Sequence, residues 1–234
     1  MISLNALKEG EREVAELTSR EFPKIVNLSE NAIELLLNII QIASDEKAVS
    51  TKEHAGYSVF VLANRSVRLL LRAHDAIVKS YYDVGMGILR FAFETHLLMN
   101  YLKDKNEEAK RWLDGKIFKP SYLRSKVKPS YDEVYSLLSG FAHPNVSTCK
   151  SYFFEEIGGE QSEFFMGKLQ KTHFLYSAKH LIAIEFATIA LVSVEFAPAF
   201  VWGKEPVPIQ ERLANWVSDY RIEMAVVNHL LKQK

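Results

Sequence analysis

Residues 181–202, LIAIEFATIALVSVEFAPAFVW, form an apolar run long enough to cross a bilayer, and they constrain the fold more than any other part of the chain. The run also carries Glu185, Glu195 and, near its end, Pro198. Carboxylates are costly at the centre of a membrane, so a helix buried inside a bundle of other helices is the expected state. A helix that is apolar on every side needs neighbours on every side. The chain must therefore supply a surrounding set of amphipathic helices.

It does so from end to end. Residues 3–21 read as an acidic amphipathic helix ended by Pro23. Asn27 or Ser29 is the expected N-cap of a second helix over AIELLLNIIQIA. STKE at 50–53 has the spacing of a capping box, Ser50 with Glu53, and opens a long third helix to about Lys79. Tyr57, Phe60, Val61, Val67 and Leu71 set its apolar period, and Arg65, Arg68, Arg72, Asp75 and Lys79 form an opposite polar stripe. A fourth helix follows the YYDVG break, and a short charged one covers NEEAKRWLD. GKIFKPSYLRSKVKPS, rich in Lys, Pro and Ser, reads as a loop. SYDE at 130–133 is a second capping box, opening a helix that ends at Ala142. Within 151–166, aromatic runs flank Gly158 and Gly159, which predicts a β-hairpin. A long helix over 169–202 and a last one over 208–232 complete an all-α bundle of about seven to eight helices with one small hairpin. The expected organisation is one domain: N-terminal helices over 1–48, a core over 49–202 and the C-terminal helix.

Lys plus Arg and Asp plus Glu are equal at 29 each, so any nucleic-acid contact must be regional. Cys149 is the single cysteine, which excludes an internal disulfide. The charged N-terminus lacks the apolar core of a signal peptide, so a cytoplasmic protein that does not span a membrane is expected. No Walker loop, G-x-G-x-x-G, Cys-x-x-Cys or G-x-S-x-G is present. The Glu-x-x-His pairs of a di-iron bundle are missing, and His173 and His180 lie two helical turns apart. Neither a metal nor a cofactor is expected.

Three groups of residues carry chemistry. His143, in LLSGFAHPN, ends a helix, with Ser139 one turn earlier and Gly140 beside it. The helix dipole favours a cation there, and Pro144 pushes His143 out of the helical region. The ring serves either chemistry or the capping of the last carbonyls. Arg90 and Glu94 stand at i and i+4 in the apolar ILRFAFETHLLM, with Gly87 one turn before. Such a pair, mostly buried, is either a clamp that sets helix register or a binding site. Residues 101–130 hold nine Lys or Arg against four acids, a net +5, interleaved with Trp112, Phe118 and Tyr122. Lys116, Lys119, Arg124 and Lys126 are the candidate nucleic-acid contacts, against a solvated loop as the other reading.

The order GMGILRFAFETHLLMNYL, basic linker, YSLLSGFAHPN, aromatic hairpin and long apolar helix resembles an uncharacterised all-helical bacterial family. That family is distantly similar to HEPN domains, the helical bundles of toxin and phage-defence ribonucleases. The resemblance covers roughly residues 50–200. It implies an Arg-x4-6-His motif, a metal-free transesterification with His as acid or base and Arg on the phosphorane, and two protomers facing across the site. This chain departs from the motif: Leu137 or Leu138 stands where the arginine belongs relative to His143. Arg68 to His74 and Arg90 to His96 match the spacing but lie inside helices, with side chains about 120° apart. Arg90 or Arg68 would have to reach His143 across a helix interface.

Three functions are therefore expected in order. The first is a non-enzymatic or degenerate HEPN-like protein that binds RNA or a protein partner, as a homodimer in a defence module. The second is a metal-independent endoribonuclease using His143, Arg90 and Glu94. The third is a purely structural scaffold.

Overall fold

The computed structural model describes residues 3–46, 49–50, 52–127, 132–143, 155–157, 160–162, 169–202 and 208–233. Among these, ten helices are found: α1 (Leu4–Glu21), α2 (Pro23–Asp45), α3 (His54–Val78), α4 (Tyr82–Leu102), α5 (Asn106–Leu113), α6 (Pro120–Lys126), α7 (Asp132–Ala142), α8 (Lys171–Glu195), α9 (Ala197–Trp202) and α10 (Pro208–Lys232). Two short strands, β1 (Glu155–Ile157) and β2 (Glu160–Ser162), pair antiparallel with Ile157 opposite Glu160. Gly158 and Gly159 lie outside the described residues. The fold is all-α.

The apolar run sits in α8 and α9, and α8 is enclosed by α2, α3, α4 and α10. Phe174, Leu181, Ile182, Ile184, Ile189 and Val192 of α8 are all buried. Each such side chain taken out of water contributes about 2 kcal/mol, which makes α8 the centre of the core. Both α2 and α8 are long and apolar enough to cross a membrane, yet more than half of each apolar window is buried against other helices (56% in both).

One polar chain crosses this core. Ser29 Oγ of α2 donates to Glu185 Oε1 of α8 at 2.6 Å, and His74 Nδ1 of α3 lies 3.0 Å from the same hydroxyl. The other ring nitrogen of His74 faces the exposed Glu30 at 3.8 Å. Burial pushes the Glu185 carboxyl up to about 8, against the lowering effect of Ser29.

Several boundaries differ from the sequence-based expectation. Ten helices replace seven or eight because KPSYLRSK folds into α6, with Pro120 in its first turn, where a missing N–H costs nothing. In addition, the expected helix over 169–202 breaks at Phe196, just before Pro198. Pro23 does not merely end α1; it starts α2, so Ser29 is a mid-helix core residue and not an N-cap. Ser50 accepts from Lys52 N at 3.2 Å, and α3 starts at His54 with Glu53 as its N-cap and no side-chain cap. Ser130 of the second capping box is outside the described residues. Of the expected apolar stripe on α3, Val67 is buried and Phe60 packs against the core, whereas Val61 and Leu71 are exposed, at 37% and 48%. The buried face is instead built largely from small residues, Ala55, Ser58, Ala63, Ser66 and Ala73, alongside Val59, Leu62, Val67 and Leu70. Small side chains let α4 approach closely.

That approach fixes the site. A tight turn joins α3 to α4, with Ser80 at φ 63° and Tyr81 N–H bonded to Ala76 O at 2.8 Å. On the next turn, a Cβ on Gly85 would meet Ile77 Cγ1 at 2.5 Å, so only glycine fits there. Gly87 opens the neighbouring face of α4 to α7: a Cβ there would lie 3.8 Å from Phe141 O and 3.9 Å from Ala142 Cα. The C-terminal end of α7 thus rests on α4 one turn before Arg90.

Candidate functional site

Arg90 projects from α4 and joins three side chains. Its Nε donates to Glu94 Oε1 on the next turn at 3.1 Å, and Nη2 donates to the Tyr135 hydroxyl of α7 at 3.1 Å. Its Nη1 lies 3.0 Å from His143 Nε2. A guanidinium can only donate, so Nε2 is the acceptor and the ring proton sits on Nδ1. Desolvation works against the charge on Arg90, but the bond to Tyr135 and the charge of Glu94 outweigh it, and its pKa is raised.

The pair is mostly buried, with side-chain exposures of 17% for Arg90 and 22% for Glu94. His143 is exposed at the bend after α7. Arg90 and Glu94 therefore form the floor of a small surface site and His143 its rim. Two of the five guanidinium N–H groups remain for another acceptor after these three bonds. Ser139 Oγ is buried and has no hydrogen-bond partner among the described residues. Arg68 is exposed on α3 and is not among the hydrogen-bond partners of His143.

Tyr135 was not anticipated. Its ring meets two guanidinium groups, with Arg90 Cζ 5.4 Å and Arg124 Cζ 4.2 Å from the centroid. The signal was present in the sequence: Tyr135, Ser139 and His143 recur every four residues and so share one face of α7.

The four basic candidates divide into two kinds. Lys116 is tied to Glu108 at 2.9 Å and lies over the Phe118 ring, while Arg124 pairs with Asp132. Lys119 and Lys126 are exposed, with Lys126 Nζ 5.7 Å from the centroid of the Tyr122 ring. Arg65, Arg68 and Arg72 of α3 are also exposed. None of these three arginines has a hydrogen bond or ion pair among the described residues, whereas Asp75 and Lys79 pair at 2.8 Å.

A cleft of about 600 Å³ opens between α3, α4 and the segment joining α5 to α6. Phe91, Trp112 and Phe118 supply aromatic walls, and Arg65, Glu94 and Lys116 are its charged groups. Glu94 thus belongs to both features, bonded to Arg90 on one side and lining the cleft on the other. Among the described residues, no three His, Cys, Asp or Glu side chains gather as metal ligands.

No family model, curated protein or solved structure matches this chain.

Proposed function

We propose that this protein is a degenerate HEPN-like helical protein that binds single-stranded RNA, seating one phosphodiester between Arg90 and His143. The observation that carries this reading is the 3.0 Å approach of Arg90 Nη1 to His143 Nε2, from residues 53 apart in the chain. A histidine that only capped α7 would have no need of a guanidinium. A phosphate oxygen takes the two remaining N–H groups of Arg90, a charge-assisted contact stronger than the neutral bonds around it. Exposed Lys119, Lys126 and the α3 arginines supply regional positive charge in a neutral protein. The hairpin belongs to the HEPN-like core in this reading, and the protein acts in the cytoplasm as a homodimer within a defence module.

Cleavage is the second reading, favoured by the same contact. When the phosphate draws the guanidinium away, Nε2 is released as a base beside the ribose. It takes the 2′-hydroxyl proton, the 2′-oxygen attacks phosphorus, and the bond to the 5′-oxygen breaks, with water protonating the leaving oxygen. The absence of an arginine five to seven residues before His143 ranks this below binding.

The test is fluorescence anisotropy with labelled single-stranded RNA across a salt series. Binding should weaken steeply with salt, and Lys119→Ala with Lys126→Ala should lower the log–log slope by about 1.4, from ~0.7 per lost phosphate contact. His143→Ala should weaken binding as well. Incubation with EDTA separates the two readings: intact RNA supports binding alone, and 2′,3′-cyclic phosphate ends that vanish in His143→Ala support cleavage. No binding at low salt overturns both.

A further inference from the structure

We propose that the cleft beside Arg90 is a pocket for one nucleobase carrying a phosphate, with guanine preferred. The inference rests on the phosphodiester reading for its neighbour, because Glu94 links the two sites. Three observations support it. The volume, about 600 Å³, suits a nucleotide-sized ligand. Its walls hold Trp112 and Phe91, and Phe91 is 47% exposed. Ile117, on the same wall, is 87% exposed. Flat aromatic and apolar faces open to water are what a stacked base covers.

The charged groups select the rest of the ligand. Arg65 is a guanidinium with no hydrogen-bond or ion-pair partner among the described residues, whereas Lys116 on the same lining is held to Glu108 at 2.9 Å. Arg65 suits a phosphate. Glu94 has one oxygen bonded to Arg90, and its carboxylate is an acceptor only. It therefore favours a base that presents two adjacent donors, as guanine does with N1–H and its exocyclic amine, over adenine or uracil, which do not.

The same chemistry is offered by a free nucleotide or by a base within RNA, and a competition experiment distinguishes them. GMP, AMP, UMP and guanosine are titrated into the full chain by calorimetry, with tryptophan fluorescence as a local readout and Trp112→Phe to assign the signal. GMP should bind saturably, tenfold or more tighter than AMP, UMP and guanosine, and should quench Trp112. Arg65→Ala should bring GMP down to the level of guanosine, and Glu94→Gln should remove the preference for guanine. Arg65 and Phe91 are exposed, so Arg65→Ala and Phe91→Ala should both fold, and Phe91→Ala should weaken every nucleotide. If GMP displaces a guanine-containing RNA, the occupant is an RNA base; if both bind together, it is a free nucleotide. GMP binding without any RNA binding would overturn the phosphodiester reading and leave the pocket standing. RNA binding that survives Arg65→Ala, with no saturable GMP binding, would overturn the pocket alone. Equal binding of all nucleotides would overturn the guanine assignment.

Discussion

Arg90 draws together residues from two helices, and each of its partners would lose something different without it. Arg90→Ala leaves the carboxylate of Glu94 and the hydroxyl of Tyr135 without their donor in a mostly buried setting. A pair broken in a fully buried site costs ~3–5 kcal/mol and an exposed pair under about 1. With exposures of 17% and 22%, the expected loss is about 2 kcal/mol, read as a lower urea midpoint at unchanged m-value. His143 is exposed and gives Arg90 one bond of three, so His143→Ala should cost under ~1 kcal/mol while reducing RNA affinity. A loss of 2 kcal/mol or more on His143→Ala, with RNA affinity unchanged, would return the ring to a structural role.

Among the helices, the pairing of α3 with α4 sets the position of Arg90, and Gly85 is where the two backbones come nearest. Gly85→Ala forces a methyl group to 2.5 Å from Ile77 Cγ1 and 3.2 Å from Ala73 O. Ile77 is buried and has nowhere to turn, so the helices must part. The expected cost is ~1–3 kcal/mol, with thermal unfolding as the measure; a variant as stable as the parent would mean that the turn at Ser80 yields instead. Gly87→Ala, with its nearest atoms at 3.8 Å, should be tolerated. In the sequence Gly85 falls in a helix break, and Gly87 stands one turn before Arg90 in the helix that follows. Glycine lowers helix propensity wherever it stands, and only a neighbour's backbone reveals that the small residue is there for packing.

Across the whole molecule, buried titratable groups tie stability to pH from both sides. The folded Glu185 carboxyl titrates near 8 against an ordinary 4.5, mainly through burial. Its stabilising effect is complete below pH 4.5 and is lost as pH rises toward 8, because the unfolded chain ionises first. Burial holds His96 and His180 down to about 4 from 6.5, with Lys103 and Lys179 adding to it. Their effect is complete above pH 6.5 and is lost as pH falls toward 4. Above pH 6.5, ionisation of Glu185 therefore lowers stability, and Glu195, partly buried with its carboxyl also raised by burial, acts in the same direction. The melting temperature should fall between pH 6.5 and 8.5, and Glu185→Gln, which keeps an acceptor for Ser29, should remove most of that fall. The same fall in Glu185→Gln would assign the alkaline loss to another group.

The amphipathic period and the apolar run by themselves determined that this chain forms a helical bundle around α8, because burying that surface leaves no other arrangement. The i, i+4 spacing of Arg90 and Glu94 likewise made their contact legible, as a local property of one helix. Helix ends were less legible, since Pro23 and Pro120 suit either a break or a first turn, and only the packing of the following residues chose the first turn. The partners of Ser29, the outward turn of Val61 and Leu71, and the neutralising of Lys116 and Arg124 by Glu108 and Asp132 all came from tertiary structure. So did the meeting of Arg90 with His143, which depends on the rotation and approach of α7 against α4. Periodicity reports which face of a helix is apolar; it carries no information about which helix that face will meet, and a site assembled from two helices exists only once that choice is made.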